Sequence, residues 1–175
     1  LTITPTITAS QNTICSGQTS SLTANGANTY TWSGGQNGSL YLASPLTTTT
    51  YSVIGSDANG CLGSTSKTIT VNPTPTVNAV ATKSLICVGE TTTLNASGAL
   101  TYTWTGGSNN NTYSISPVLN TTYSLSGTSL NGCIGYTTIA IAVNPNPTVS
   151  ISVSNNTICS GQSATLTANG ANTYS

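Results

Sequence analysis

Charged side chains are almost absent from this sequence of 175 residues. Asp57 and Glu90 are its only acids, Lys67 and Lys83 are its only bases, and the formal net charge is zero. Charged residues make up 2% of the chain, against about 25% in an average globular protein. Nucleic acids and anionic membrane surfaces attract proteins through clusters of Lys and Arg. We therefore expect neither as a partner.

Side chains for catalysis or metal binding are also scarce. The chain has no histidine, and its two carboxylates are far apart in the sequence, so a general acid–base pair is not expected. All five cysteines stand in Cys-x-Gly rather than Cys-x-x-Cys, which excludes the usual spacing of a zinc knuckle or a dithiol redox site. The sequence predicts no enzyme activity, no cofactor and no metal.

Long apolar runs are missing as well, so the sequence predicts no membrane insertion. What fills the chain is Thr, Ser, Asn and Gly, with Val, Ile, Leu and Tyr spread between them. A polar chain of low complexity raises the possibility of disorder. β-Branched and aromatic residues suit pleated strands, however, and their abundance favours an all-β fold over disorder.

The sequence repeats itself with a period of 72 residues. This spacing separates Cys15, Cys87 and Cys159, and it also separates Cys61 from Cys133. The heptapeptide NTICSGQ occurs at 12–18 and again at 156–162. We predict Ig-like repeats at 1–73 and 74–145 and the N-terminal part of a third, incomplete repeat at 146–175, as in a segment of a longer array. The connectors NPTP and NPNP are stiff, which favours neighbours held end to end.

Within each repeat, short runs alternate between apolar and polar residues. Examples are TYTW at 29–32, TTYSVIG at 49–55 and SKTITV at 66–71, and Asn-Gly turns precede the last run of each repeat. This pattern predicts a β-sandwich whose last two strands form a hairpin. The alternation predicts these core aromatics: Tyr30, Trp32, Tyr51, Tyr102, Trp104 and Tyr123. In the alternative interpretation, Trp32 and Trp104 lie at the surface and stack on sugars.

The cysteines are expected to form disulfide bonds. Pairing Cys15 with Cys61 and Cys87 with Cys133 respects the repeat, and each bond would stabilise its repeat by roughly 4 kcal/mol. A bond between Cys61 and Cys87, which would join neighbouring repeats across the proline connector, is the less favoured alternative. Cys159 would have no partner within this sequence. Persistent disulfide bonds predict an extracellular location.

The ordered motifs TICSGQ, LTANGANTYTW, DANGC and TITVNP resemble the Ig-like and PKD-like repeats of secreted Bacteroidota cell-surface proteins, including adhesins of the gliding-motility type. The resemblance covers the whole chain. It implies tandem Ig-like β-sandwiches at the cell surface, export by type IX secretion, and no catalytic residues to transfer.

Taken together, the sequence predicts a non-catalytic structural repeat segment that acts as a stalk, fibre or adhesin body. Its expected partners are neighbouring repeats of the same chain, and low charge with open sheet edges favours lateral homo-association into a filament. O-Glycosylation at Ser and Thr would help to keep such a protein soluble. The alternative function is a carbohydrate-binding accessory module that recognises a surface polysaccharide.

Overall fold

The computed structural model describes residues 3–175. The first repeat contains seven strands, which are short because Gly, Asn and Pro interrupt the alternating runs. In chain order they are β1 (Thr6–Ala9), β2 (Thr13–Cys15), β3 (Ser20–Asn25), β4 (Thr29–Trp32), β5 (Leu40–Ala43), β6 (Thr49–Ser56) and β7 (Leu62–Asn72).

These strands form two sheets, one with the order β1-β3-β5 and one with the order β2-β7-β6-β4. All described pairings are antiparallel except that of β2 with β7, which is parallel and places Cys15 opposite Asn72. The chain thus leaves the first sheet after β1 and joins the edge of the second sheet as β2. Two sheets of three and four strands with this connectivity form an Ig-like β-sandwich.

Side chains that alternate along the strands fill the space between the sheets. Leu22 of β3, Trp32 of β4, Val53 of β6 and Ile69 of β7 are all at most 2% exposed and belong to one cluster. Because successive side chains of a strand point to opposite faces, the intervening Thr and Ser residues face solvent. The period-two pattern of the sequence therefore defines the core.

The second repeat reproduces all seven strands 72 residues later. The strands are β8 (Asn78–Ala81), β9 (Leu85–Cys87), β10 (Thr92–Ser97), β11 (Thr101–Trp104), β12 (Thr112–Ile115), β13 (Thr121–Thr128) and β14 (Ile134–Asn144). Its sheets have the orders β12-β10-β8 and β11-β13-β14-β9, and β9 is again parallel to β14. The predicted all-β fold with tandem Ig-like sandwiches is confirmed.

Two further strands begin the third repeat. β15 (Ser150–Val153) and β16 (Leu166–Asn169) pair antiparallel, with Ser150 opposite Asn169. This register equals that of β1 with β3, in which Thr6 lies opposite Asn25. Within residues 3–175 no helix occurs, and correspondingly no helix is long and apolar enough to cross a membrane.

By density of contacts the chain divides into two compact units. The first comprises the residues up to Asn78 with Ala96–Asn111 and Ser124–Thr137, and the second comprises Ala79–Asn95, Thr112–Tyr123 and Thr138–Ser175. This division runs through strands of the second repeat and does not follow the 72-residue period. The boundaries of the repeats at 1–73, 74–145 and 146–175 stay predictions.

The predicted hairpin joins β6 to β7, with Ser56 opposite Leu62. In the turn, Asp57 Oδ1 accepts hydrogen bonds from the backbone N–H groups of Asn59 (2.9 Å) and Cys61 (2.8 Å). Only Gly60 has a positive φ, at 81°, so the glycine rather than the Asn-Gly pair supplies the left-handed residue. In the second hairpin, Ser129 Oγ replaces the carboxylate and accepts from Cys133 N at 3.2 Å.

Candidate functional site

The heptapeptide NTICSGQ contains the whole of β2 and the turn that follows it. Cys15 is the last residue of β2, and its N–H donates to Gln18 Oε1 at 3.0 Å, while Gln18 N donates back to the Cys15 carbonyl at 3.0 Å. Gly17 has a φ of 79°, which a residue with a side chain rarely adopts. These bonds explain why Cys, Gly and Gln occur together and hold Cys15 in one position.

Cys15 is bonded to Cys133, which lies 118 residues later in the hairpin of the second repeat. The Cα atoms are 5.6 Å apart, within the usual range for a disulfide bond. Cys133 is fully buried, and its Sγ lies 3.7 Å from the carbonyl oxygen of Asn72. Both cysteines belong to the first compact unit. The bond therefore joins the C-terminal end of β2 in one repeat to the hairpin of the next.

The predicted pairs Cys15–Cys61 and Cys87–Cys133 are wrong in this structure, where Cys61 and Cys87 are free thiols. Cys15 lies opposite Asn72 at the C-terminal end of β7, whereas Cys61 immediately precedes the N-terminal end of that strand. At about 3.3 Å per residue, β7 separates them by roughly 36 Å. A disulfide bond requires Cα atoms within about 7 Å. The less favoured pair, Cys61–Cys87, does not form either. Cys159 is free and exposed.

The connector between the repeats packs closely on the second hairpin. An added Cβ at Gly135 would lie 2.1 Å from the carbonyl oxygen of Pro75, and one at Gly127 would lie 2.7 Å from the Val77 side chain. Beside the disulfide bond is a cleft of about 290 Å³, lined by Ser16, Gln18, Thr74, Gly132, Ile134 and Tyr136. Glycine is thus needed where the proline-rich connector crosses β13 and β14.

Both tryptophans lie in the interior. Trp32 is 2% exposed and its Nε1–H donates to the Gly38 carbonyl at 2.9 Å; Trp104 is 1% exposed and donates to the Asn110 carbonyl at 3.1 Å. A ring that is buried to this extent cannot stack on a sugar. The alternative interpretation of Trp32 and Trp104 as a glycan-stacking platform is therefore wrong.

The other predicted core aromatics are tyrosines with two different environments. Tyr30 is buried, Tyr102 is half-buried, and each hydroxyl bonds both backbone groups of the alanine three residues earlier. Tyr51 is buried and Tyr123 half-buried, and each lies near a further tyrosine, Tyr41 or Tyr113. Burial, with a smaller contribution from that neighbour, raises the pKa of Tyr51 and of Tyr123 above the ordinary value.

The charged side chains do not assemble into a reactive site. Lys83 and Glu90 form an exposed ion pair. The second carboxylate oxygen of Glu90 accepts a hydrogen bond from Cys87 N at 3.1 Å, as Gln18 Oε1 accepts one from Cys15 N in the first repeat. The hydrogen bond with Lys83 is the main cause that lowers the pKa of Glu90 and raises the pKa of Lys83. In residues 3–175 no three His, Cys, Asp or Glu side chains are grouped so as to hold a metal ion.

Comparisons with known proteins give similarities of fold only. No family model matches the chain, and no curated protein matches it. Among solved structures, murine CEACAM1b is 11% identical over 81% of this chain and 100% of its own, with a TM-score of 0.37. Three domains of the bacteriophage RB49 outer capsid protein Hoc are 16% identical over 97% of this chain and 70% of their own, with a TM-score of 0.38. An intimin fragment in complex with its receptor domain is 15% identical over 88% of this chain and 67% of its own, with a TM-score of 0.45. All three TM-scores are below 0.5, so these similarities say nothing about the function of this chain.

The class of protein that the structure defines is therefore a tandem array of Ig-like β-sandwiches with a disulfide bond between successive repeats. The two described sandwiches have the same order of strands in their sheets, and the disulfide bond between Cys15 and Cys133 is the chemical feature added to them. Sequence reasoning missed this pair because it assumed that the two cysteines of one repeat, Cys15 and Cys61, lie at the same end of a sandwich. The parallel pairing of β2 with β7 places Cys15 and Cys61 at opposite ends.

Proposed function

We propose that this chain is a non-catalytic structural segment of an extracellular protein, serving as the stalk, fibre or adhesin body at a cell surface. The disulfide bond between Cys15 and Cys133 is the observation that carries the proposal. When a tether is pulled, the junctions between its repeats would extend first. A covalent bond across such a junction strengthens it against the pulling force. Such a bond persists in an oxidising compartment, which supports an extracellular location.

The distribution of polar contacts also supports a structural role. The side chains that the sequence repeats, such as Gln18, Tyr30 and Trp32, bond backbone groups of their own repeat. The two residues that depart from the repeat, Asp57 and Glu90, are used in the same way as acceptors of backbone N–H groups. Each of these side chains thus has a role in folding that accounts for its identity.

Lateral association into filaments fits the surface of the first repeat. Leu42 on β5, Leu46 after it, and Leu62 on β7 are each more than 60% exposed. Near-zero net charge leaves little electrostatic repulsion between copies. We include self-association among neighbouring chains in the proposed function. Export by type IX secretion, which the family resemblance implies, and glycosylation of the surface rich in Ser and Thr are further expectations.

The test is to locate the native protein and map its cysteines in one experiment. Intact cells are treated with protease and with a membrane-impermeant alkylating reagent, and the released peptides are analysed without reduction. Surface release of a peptide pair that contains Cys15 and Cys133 is the expected result. Retention of the protein inside intact cells, with all cysteines reduced, would refute the proposal.

Electron microscopy of the released material distinguishes a stalk from a filament. Single chains indicate a stalk or adhesin body, and ordered bundles indicate self-association. A carbohydrate-binding function is no longer supported by an aromatic platform at Trp32 or Trp104, and a glycan microarray with the folded chain is expected to give no hits. A reproducible glycan ligand would restore that alternative.

A further inference from the structure

Cys87 occupies the position in the second repeat that Cys15 occupies in the first. It is the last residue of β9 and lies opposite Asn144, as Cys15 lies opposite Asn72. Its N–H donates to Glu90 Oε2, Glu90 N donates to its carbonyl at 3.0 Å, and Gly89 has a φ of 81°. The turn that holds Cys15 for bonding is therefore also formed around Cys87.

The chain enters the third repeat as it enters the second. An added Cβ at Gly170 would lie 1.9 Å from the carbonyl oxygen of Thr148, and one at Gly98 would lie 2.0 Å from that of Thr76. β15 and β16 pair in the register of the corresponding strands of the first repeat. The same contact occurs in the first repeat, between Gly26 and the carbonyl oxygen of Thr4, so it belongs to each repeat, and the third repeat begins with the same local structure as the second.

The two cysteines differ in exposure. Cys15 is half-buried and its partner Cys133 is fully buried, whereas Cys87 is exposed. In the first repeat the hairpin of the following repeat covers this position. Cys61, the counterpart of Cys133, has its thiol free at the hairpin of the first repeat. The structure therefore contains one bonded pair of this kind and two free cysteines, Cys87 and Cys61, at the positions that Cys15 and Cys133 occupy in their own repeats.

We propose that every junction of the array carries this bond, so that Cys87 pairs with the hairpin cysteine of the following repeat and Cys61 with the β2 cysteine of a preceding one. The partner of each is a repeat of the same kind, and each bond spans 118 residues like the observed one. Each pair of thiols loses two protons and two electrons to an extracellular thiol oxidant, such as a disulfide-exchange catalyst, and one S–S bond forms. This inference rests on the proposed function and deepens it by defining how the repeats are linked.

Overlapping bonds would make the array almost inextensible. A pulling force would be carried by the disulfide bonds and by the backbone stretches that join one bond to the next. Each of these stretches runs from a hairpin cysteine to the next β2 cysteine, as from Cys61 to Cys87 or from Cys133 to Cys159. For every two repeats, 26 residues of backbone would then bear the force, compared with 144 residues in a chain without these bonds. At about 3.5 Å per residue, complete unfolding then releases roughly 90 Å per two repeats rather than about 500 Å.

A completed third repeat tests the pairing directly. Appending a copy of Trp32–Pro73 after Ser175 restores the 72-residue period, because the third repeat already reproduces the sequence before Trp32, and it adds one cysteine, the copy of Cys61. The original chain has five cysteines and three free thiols. After oxidative refolding, the extended chain is expected to have two free thiols and a cross-linked peptide pair that joins Cys87 to the added cysteine. A bond from Cys159 to the added cysteine, or four free thiols, would overturn the proposal.

Cys87→Ser in the extended chain is the matched control. It is expected to leave three free thiols and the Cys15–Cys133 bond, which also reports that the rest of the chain has folded. Should the extended chain not fold, peptide mapping of the native secreted protein decides the question. There Cys87 is expected in a cross-link to a hairpin peptide of another repeat, and its recovery as a free thiol would refute the proposal while leaving a structural function intact.

Discussion

Ser20 Oγ donates a hydrogen bond to the carbonyl oxygen of Gln11 at 2.7 Å and accepts one from the N–H group of the same residue at 3.2 Å. Ser20 is fully buried at the start of β3, and Gln11 lies between β1 and β2, where the chain crosses from one sheet to the other. In the second repeat Thr92 bonds Lys83 in the same way, at 2.9 and 3.0 Å. A buried hydroxyl therefore holds the sheet crossing in both repeats.

Removing this hydroxyl should destabilise the first repeat. Ser20→Ala leaves the N–H and carbonyl groups of Gln11 without their side-chain partner in a partly buried site, which costs about 1–3 kcal/mol. Urea unfolding measures the loss as a lower midpoint with an unchanged slope. Ser66→Ala, at an exposed position of β7, is the control and should have no effect. Equal effects of the two variants would mean that Ser20 does not hold the crossing.

This crossing is also where sequence reasoning was incomplete. The strands that carry alternating apolar residues, such as β4 and β6, could be predicted because their period of two is visible in the sequence. β2 has three residues and pairs parallel to a strand more than 50 positions away, so nothing local indicates its direction. The error about the disulfide bonds follows from this, because the direction of β2 determines which end of the sandwich Cys15 occupies.

The burial of the tryptophans, in contrast, could be predicted from local pattern. Tyr30 and Trp32 share one face of β4, and the alternation with Thr identifies that face as the interior. The role of Glu90 as an acceptor for a backbone N–H group, which a neutral side chain could also fill, could not be predicted from this residue alone. Alignment of the repeats with one another, Glu90 with Gln18 and Asp57 with Ser129, supplies the only signal for it, and the structure gives the shared acceptor role.

Tyr30→Phe should weaken the turn before β4. The Tyr30 hydroxyl accepts from Ala27 N at 2.7 Å and donates to Ala27 O at 2.9 Å, so the variant leaves both backbone groups without this partner. We expect a loss of about 1–2 kcal/mol in the free energy of unfolding, measured by thermal and chemical denaturation. Tyr136→Phe, at a side chain that is 76% exposed, is the matched control. No difference between the two variants would contradict the role assigned to Tyr30.

Gly135→Ala should displace the connector from β14. The added methyl group would lie 2.1 Å from the Pro75 carbonyl oxygen, a backbone atom that cannot move independently. Overpacking of this kind costs about 1–3 kcal/mol. Thermal unfolding measures the cost, and limited proteolysis of the connector at 73–77 reports the displacement. Thr138→Ala, at an exposed position further along β14, is the control. An unchanged rate of cleavage at 73–77 in Gly135→Ala would show that the contact does not position the connector.

The ion pair of Glu90 with Lys83 should make a small contribution that depends on pH. The pKa of Glu90 is lowered in the folded protein, first by the hydrogen bond with Lys83 and then by Cys87 N–H. The stabilisation is therefore present above the unfolded pKa of the carboxyl group and is lost as the pH falls through the lower folded pKa. Because the pair is exposed, salt should screen it.

Glu90→Gln tests this expectation, because Gln18 shows that an amide can fill the same position. The variant should be slightly less stable than the native chain at neutral pH and low salt, and the difference should shrink at high salt and as the pH falls below the unfolded pKa of the carboxyl group. Urea titrations at several pH values measure it, with Lys67→Gln as a control for the loss of a charge elsewhere. A difference that grows as the pH falls would contradict the assigned direction of the pKa shift.

The double variant Cys15→Ser and Cys133→Ser should release the junction while leaving the sandwiches folded. Each of the two sandwiches has its own buried tryptophan and aliphatic residues, so the bond is not needed to complete either core. In the unfolded chain the bond closes a loop of 118 residues, worth at most about 5 kcal/mol in the chain-entropy model. We expect most of the effect in the connector at 73–77, whose packing against β14 the bond reinforces. Limited proteolysis followed by mass spectrometry should detect faster cleavage there, with near-ultraviolet circular dichroism unchanged.

Cys61→Ser is the control for that experiment, because it removes a free thiol and keeps the bond. Cys61→Ser should be cleaved at the native rate. Mild reduction of the native chain should produce the faster cleavage of the double variant only slowly, since Cys133 is fully buried. If the double variant instead lost its tertiary circular dichroism, the bond would be a requirement for folding rather than a reinforcement of the junction. If cleavage at 73–77 did not change, the connector would be held by its contacts with Gly127 and Gly135 alone, and the covalent link would matter only under load.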